Sequence, residues 1–120
     1  MAHKLPALAA PLSPATFHVL LALAGEDLHG YAILKEVERR TAGGVSLSTG
    51  TLYGILKRLL ADGLIAERRG RPAAQEDDER RRTYRLTPRG REVAGAEAER
   101  LDRLVAEARA RRLLGKLRPA

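Results

Sequence analysis

The 120-residue sequence contains no cysteine and no tryptophan, and its aromatic side chains are three tyrosines and one phenylalanine. Without cysteine, the chain has no disulfides, no thiolate metal ligands and no thiol nucleophile. The opening stretch MAHKLPALAAPLSP resembles a signal peptide only weakly, because Pro6 and Pro11 interrupt a short apolar segment. No run approaches the roughly 20 apolar residues that a membrane span needs. We therefore expect a cytoplasmic protein with no membrane partner.

Catalytic and metal-binding patterns are also lacking. The histidines are His3, His18 and His29, and no serine or carboxylate stands in a motif that would pair with one of them. GGVSLSTGT lacks the Gly-Lys-Ser/Thr ending of a phosphate-binding loop. EDDE has neither the alternate spacing nor the central glycine of a calcium loop. We predict that the protein is not an enzyme and holds no cofactor and no metal.

Positive charge is in excess. Lys and Arg number 22 against 15 Asp and Glu, which gives a formal net charge of +7. A high-GC genome would favour Arg over Lys, but it would not explain a surplus of cations over carboxylates. The surplus favours a polyanionic partner, either nucleic acid or anionic lipid.

Start signals and apolar spacing predict three short helices in the first half of the chain. Ser13 followed by Pro14 opens the helix PATFHVLLALAG. Asp27 is expected to cap the second helix, LHGYAILKEVERRT. The third helix is predicted within STGTLYGILKRLLADGLI, with Ser48 or Ser46 as its cap and Gly63 as its stop. Three short helices joined by short turns indicate a helix-turn-helix unit.

Two strands and a long helix are predicted to follow. LIAERR and RRTYRLT alternate apolar and polar residues and flank the polar loop GRPAAQEDDE, as in a wing. Thr87 and Pro88 repeat the helix-start signal. The predicted fold is mainly α with a small two-stranded β wing, that is, a winged helix-turn-helix plus a long C-terminal helix. The predicted division is a flexible N-terminal arm at 1–12, a winged-helix DNA-binding domain at 13–87 and a dimerisation helix at 88–120.

The third helix has an unusual outer side. On a helical wheel its apolar side consists of Leu52, Ile55, Leu56, Leu59 and Leu60. The opposite side carries Gly50, Gly54, Lys57 and Ala61. Glycine costs about 1 kcal/mol relative to alanine in a helix, so a solvated face would favour other residues. Small residues suit a helix in the DNA major groove, because its backbone and hydroxyls must approach base edges. The predicted DNA contacts are Ser48, Thr49, Gly50 and Thr51 for base edges and Tyr53, Lys57 and Arg58 for phosphates.

The last predicted helix carries a narrow apolar stripe close to heptad spacing. At 1.5 Å per residue, about 25 residues would extend roughly 38 Å, which the three-helix unit is too small to cover. We therefore predict a homodimer, with the stripe as its interface. The stripe consists of Leu101, Leu104, Val105 and Ala108.

Three segments, HGYAILKEV, STGTLYGILKRLLADGLI and RRRTYRLTPRGREV, resemble the signature segments of the PadR-like family of transcriptional regulators. The resemblance covers roughly residues 14–95. It implies a winged-helix repressor that dimerises through its C-terminal helix, binds an inverted-repeat operator and is released by a small-molecule effector. By position, it implies DNA contacts from Ser48, Thr49, Thr51, Tyr53 and Lys57 and from the wing arginines Arg80, Arg81 and Arg82.

The wing loop departs from a tight turn and carries QEDDE at residues 75–79. Phosphate would repel these acids, so we expect the tip to lie outside a groove, either as a solvated loop or with its acids paired to Arg80, Arg81 and Arg82. Two other binding functions remain open for the same fold. The winged helix could contact an acidic protein, or it could coat DNA without reading its sequence. Membrane-surface binding is disfavoured, because the C-terminal helix has a thin apolar face and many acids.

Overall fold

The computed structural model describes residues 11–68 and 82–115. Four helices and three short strands occur in these ranges, in the order α1 (Pro14–Gly25), β1 (Leu28–His29), α2 (Gly30–Arg40), α3 (Thr49–Ala61), β2 (Ile65–Arg68), β3 (Thr83–Leu86) and α4 (Pro88–Ala110). The strands form one antiparallel sheet. The predicted mainly helical fold with a small β wing is confirmed.

The sheet has one strand more than the two predicted. Its order is β1-β3-β2, with Leu28 opposite Tyr84 on one edge and Glu67 opposite Tyr84 on the other. A strand of two residues shows no alternation, so the sequence pattern could not reveal it. The predicted N-cap at Asp27 is also wrong, because the unpredicted strand β1 lies between Asp27 and the start of α2. His29 occupies the N-cap of α2 without a side-chain cap bond, and the Asp27 carboxylate lies 3.6 Å from the Arg68 guanidinium.

The other predicted helix starts are confirmed by hydrogen bonds. The hydroxyl oxygens of Ser13 and Ser48 each accept a backbone N–H three residues later, at 3.1 Å. Thr87 does the same for Gly90 at 3.0 Å and also donates to the carbonyl of Gly63 at 2.7 Å. The second bond ties the start of α4 to the end of α3.

The core lies between α1, α2, α3, the inner side of the sheet and the first turns of α4. From α3, Leu52, Leu56 and Leu59 are buried, while Ile55 and Leu60 pack against them, as predicted. The remaining buried apolar residues are Val19, Leu20, Ala22, Leu23, Ile33, Val37, Leu64, Ile65, Tyr84, Val93 and Ala94. Because one side of α3 faces this core, its glycine-bearing side faces outward.

Helix α4 divides into a buried and an exposed half. Val93, Ala94 and Glu97 are buried, whereas residues 102–107 are exposed. At Gly90 an added Cβ would overlap the carbonyl oxygen of Leu64, so only glycine allows this close approach to the core. The first turns of α4 therefore complete the core, and the last turns extend beyond it.

Within residues 11–68 and 82–115, none of the helices has both the length and the apolar character required to cross a bilayer. The same ranges hold no group of three or more His, Cys, Asp or Glu side chains arranged to bind a metal ion.

Candidate nucleic-acid interface

The outward side of α3 is open. A Cβ added at Gly50 or at Gly54 would meet nothing within 4 Å. Thr51, Lys57 and Arg58 are exposed along the same helix. The helix thus presents bare backbone between hydroxyl and basic side chains. This surface can approach a polyanion closely, and its cations lie where they can bind phosphates.

Two hydroxyls at the start of α3 are bonded to each other. The Ser48 oxygen accepts the Thr51 N–H at 3.1 Å, and the Ser48 hydroxyl donates to Thr51 Oγ1 at 2.9 Å. Ser48 is therefore committed to capping the helix, while the Thr51 hydroxyl keeps its own proton for donation. Thr49 and Gly50 are exposed beside them. Of the predicted base-reading group, Thr49 and Thr51 both carry exposed hydroxyls that can donate.

Tyr53 joins α3 to the start of α2. Its ring is half-buried, and a Cβ added at Gly30 would overlap the Tyr53 hydroxyl and lie 3.0 Å from Cζ. The Tyr53 side chain of the TLY segment therefore requires glycine at position 30 in the HGY segment. The two positions are far apart in sequence. Packing holds the ring beside the open side of α3. The phosphate contact predicted for Tyr53 remains a prediction.

Two exposed residues of α2 were not among the predicted contacts. Tyr31 is 57% exposed, and the Lys35 ammonium lies 5.5 Å from the centre of its ring. Both lie on the helix whose first residue, Gly30, packs against Tyr53. A helical wheel of α3 alone could not include them. The HGY motif was the available signal, because its tyrosine directly follows the packing glycine.

The base of the wing carries paired charges. The Arg82 guanidinium donates to the Glu67 carboxylate at 3.0 Å, and the side chain of Arg82 is half exposed. Arg68, the last residue of β2, lies 3.6 Å from Asp27, which directly precedes β1. Of the predicted wing arginines, Arg80 and Arg81 lie outside the described residues, as does the acidic stretch 75–79. The structure therefore brings one predicted wing cation, Arg82, to the end of the sheet.

The predicted apolar stripe of α4 lies on its protruding half. Leu104 is 53% exposed and Val105 is 42% exposed, while Leu101 and Ala108 are half-buried. Most of this apolar surface has no cover within the described part of the chain.

A buried carboxylate connects α4 to the segment before α1. Arg100 donates to the two carboxylate oxygens of Glu97 at 3.0 and 2.7 Å. These bonds, the charge of Arg100 and a hydrogen bond from the Leu12 backbone amide hold the pKa of Glu97 below its ordinary value, although burial opposes the shift. Leu12 belongs to the predicted arm, yet it packs against the core.

Comparison with known proteins identifies the chain's relatives. The chain is 39% identical over 91 residues to the transcriptional regulator Rv3488 of Mycobacterium tuberculosis, covering 75% of this chain and 78% of that protein. It is 44% identical over 86 residues to an uncharacterized 37.1 kDa protein in transposon TN4556 of Streptomyces fradiae. That match covers 72% of this chain but only 22% of the transposon protein.

The fold is shared with the Bacillus subtilis PadR protein, whose structure was solved in complex with operator DNA. The TM-score is 0.58 at 23% identity, over 69% of this chain and 46% of that one. Residues 19–96 match the sequence profile of the Transcriptional regulator PadR-like family. This range contains most of α1, all of α2, α3 and the three strands, and the first turns of α4. On this match and on the similarity to Rv3488, the chain belongs to the PadR-like family, whose members are transcriptional regulators and not enzymes.

Proposed function

We propose that the protein is a sequence-specific DNA-binding regulator of transcription in the cytoplasm, and that it represses by occupying an inverted-repeat operator as a homodimer. The observation that carries the proposal is the open side of α3. Two helical glycines there face outward with no neighbour within 4 Å, although glycine weakens a helix. Close approach to base edges gives a reason for keeping that side bare.

The relatives support DNA as the partner. Rv3488 is a transcriptional regulator, and the Bacillus subtilis PadR protein, which shares this fold, was solved in complex with operator DNA. The surplus of basic residues in this chain is compatible with a polyanion. These points favour DNA over an acidic protein partner.

The exposed half of α4 supports the homodimer. Leu104 and Val105 present apolar surface beyond the core, and a second α4 could cover it. A dimer would place two α3 helices in successive major grooves, with half-sites about 10 bp apart. Occupancy of a promoter by such a dimer excludes polymerase. Release by a small-molecule effector remains an expectation from the family resemblance.

The test is selection of bound duplexes from a random double-stranded DNA library by the purified protein at near-physiological salt. Enrichment of an inverted repeat would support a dimer that reads sequence. Recovery of duplexes without sequence bias would instead favour DNA coating, and no recovery would favour the protein-interaction module. If each protomer neutralises about three phosphates, log K should fall with log salt at a slope near −5.

Two variants separate reading from coating. Lys57→Ala should weaken binding to all duplexes and flatten the salt dependence, because it removes a phosphate contact. Thr51→Val should mainly relax the sequence preference, because it removes an exposed hydroxyl donor at the start of α3. Equal effects of both variants on selected and random DNA would argue against sequence reading by α3.

A further inference from the structure

The base of the wing holds a carboxylate against Arg82, one of the predicted DNA contacts. Glu67 lies opposite Tyr84 in the sheet, and Arg82 directly precedes β3, two residues before Tyr84. The start of β3 beside the end of β2 leaves the Arg82 side chain in contact with Glu67. The guanidinium Nη1 and the carboxylate Oε2 are 3.0 Å apart.

We propose that Glu67 competes with the DNA backbone for Arg82, so that this carboxylate lowers the affinity of the protein for DNA of any sequence. The inference rests on the proposed function. In this role Glu67 limits the affinity for DNA by forming an ion pair with Arg82. The ligand for which it competes is a backbone phosphate, an oxyanion that accepts the same N–H donors as a carboxylate.

The pair is accessible enough for exchange. The Glu67 side chain is 30% exposed and the Arg82 side chain is 50% exposed. An ion pair at this exposure is weak, since both charges are well solvated. A phosphate can therefore displace the carboxylate, but each wing then leaves an unpaired acid next to the DNA. The net gain from the Arg82 contact is smaller than that of a free arginine.

The consequence is a lower background of non-specific complexes. Phosphate contacts supply nearly all of the affinity for random DNA, whereas an operator adds base contacts from α3. Weakening one phosphate contact per wing reduces both affinities by the same factor. The affinity for random duplexes then becomes too low for them to be occupied. The operator remains bound because of its base contacts.

A second pair has the same form. Asp27 holds Arg68 at 3.6 Å, with side chains that are 45% and 52% exposed. The longer distance and greater exposure predict a weaker competition. Asp27→Asn should therefore tighten DNA binding by less than Glu67→Gln does.

The experiment measures dissociation constants for the selected operator and for a random duplex, between about 50 and 200 mM salt. The proteins are wild type, Glu67→Gln, Arg82→Gln and the double variant. The control is Glu107→Gln, which also removes one acid next to an arginine, Arg111 at 3.8 Å, near the far end of α4. Thermal unfolding and size-exclusion chromatography check that each variant folds and keeps the wild-type oligomeric state.

Glu67→Gln should tighten binding to both duplexes by about two- to fivefold per protomer beyond the control. It should also steepen the salt slope by up to about 0.9 per protomer. In the protein that already carries Arg82→Gln, the same change should have no effect beyond that of Glu107→Gln. A gain that persists without Arg82, or no gain over the control, would overturn the proposal while the DNA-binding function stands.

A second measurement does not depend on the Glu67 variant. Arg82→Gln should weaken binding by a smaller factor than Lys57→Ala, because Glu67 already offsets the Arg82 contact. An equal or larger loss would overturn the inference. If wild-type protein binds neither duplex at low salt, the proposed function fails and the inference fails with it.

Discussion

At the residue scale, Gly54 and Gly95 are two exposed glycines inside helices, and an added Cβ at either would meet nothing within 4 Å. They differ in location, since Gly54 lies on the open side of α3 and Gly95 lies on α4. Packing within the chain explains neither glycine. A role in DNA approach explains only the first, so the two positions form a matched pair.

Gly54→Gln should raise the free energy of unfolding by roughly 0.5–1 kcal/mol, because glutamine is a better helix former than glycine. It should also weaken operator binding by at least about tenfold, since the new side chain would occupy the space that base edges require. Denaturant unfolding and a DNA-binding titration measure the two effects.

Gly95→Gln is the control for this change. It should give a similar gain in stability with operator affinity unchanged. A Gly54→Gln protein that binds the operator as well as wild type would show that α3 does not approach base edges through this side.

At the element scale, three helices end in the same way. After α2, α3 and α4, one residue with a positive φ donates its backbone N–H to the carbonyl three residues earlier. The residue that follows it donates to the carbonyl five residues earlier. The residue with the positive φ is Gly63 after α3, which confirms the predicted stop at this position. After α2 and α4 it is Ala42 and Arg112, with φ of 53° and 58°.

Ala42→Gly should stabilise the protein by about 0.5–1 kcal/mol, because a left-handed backbone is unfavourable for a residue with a Cβ. Gly63→Ala is the reciprocal change and should destabilise by a similar amount. Urea unfolding of both variants tests the argument. A loss of stability in Ala42→Gly would mean that the entropy of the unfolded chain outweighs the backbone strain.

The contact between α4 and the segment before α1 depends on pH. Because Arg100 and the Leu12 amide lower the pKa of Glu97 in the folded protein, its charged form is favoured by folding. This stability is fully present above the pKa of the unfolded chain, about 4.3, and is lost as pH falls through the lower folded value.

Glu97→Gln should therefore cost about 1 kcal/mol near neutral pH, allowing for the partly exposed Arg100, and the difference from wild type should shrink below about pH 4. Urea unfolding at several pH values measures the change. Glu107→Gln removes a more exposed partner of an arginine and should change stability little near neutral pH. A wild-type advantage over Glu97→Gln that is constant down to about pH 3 would contradict the assignment.

At the scale of the whole molecule, the protruding half of α4 decides the assembly. Leu104→Glu combined with Val105→Glu should give monomers, because two acids per chain would face each other in a buried apolar contact. Operator affinity should then fall steeply, since each half-site would be bound alone. Light scattering with size-exclusion chromatography gives the mass.

The matched control is Ala106→Glu combined with Ala110→Glu, which places two acids on the opposite, exposed side of α4. This protein should stay dimeric. A dimer that survives the changes at Leu104 and Val105 would place the interface elsewhere.

Local signals in the sequence determined most of the elements. Caps such as Ser13, Ser48 and Thr87 act within one turn, and the apolar spacing of α3 identifies its buried side without knowledge of any partner element. The open side of α3 could be predicted for the same reason, since it lies opposite that stripe. The three PadR-like segments also indicated the family to which the chain belongs.

Tertiary structure decided what depends on distant residues. Strand β1 exists only because β3 pairs with it, and this pairing rather than its own two residues displaced the expected Asp27 cap. Gly30 accommodates a tyrosine from α3, and Arg82 finds a carboxylate across the sheet. Such contacts have no local signature, because chain folding sets which residues meet while periodicity reports only which side of an element is apolar.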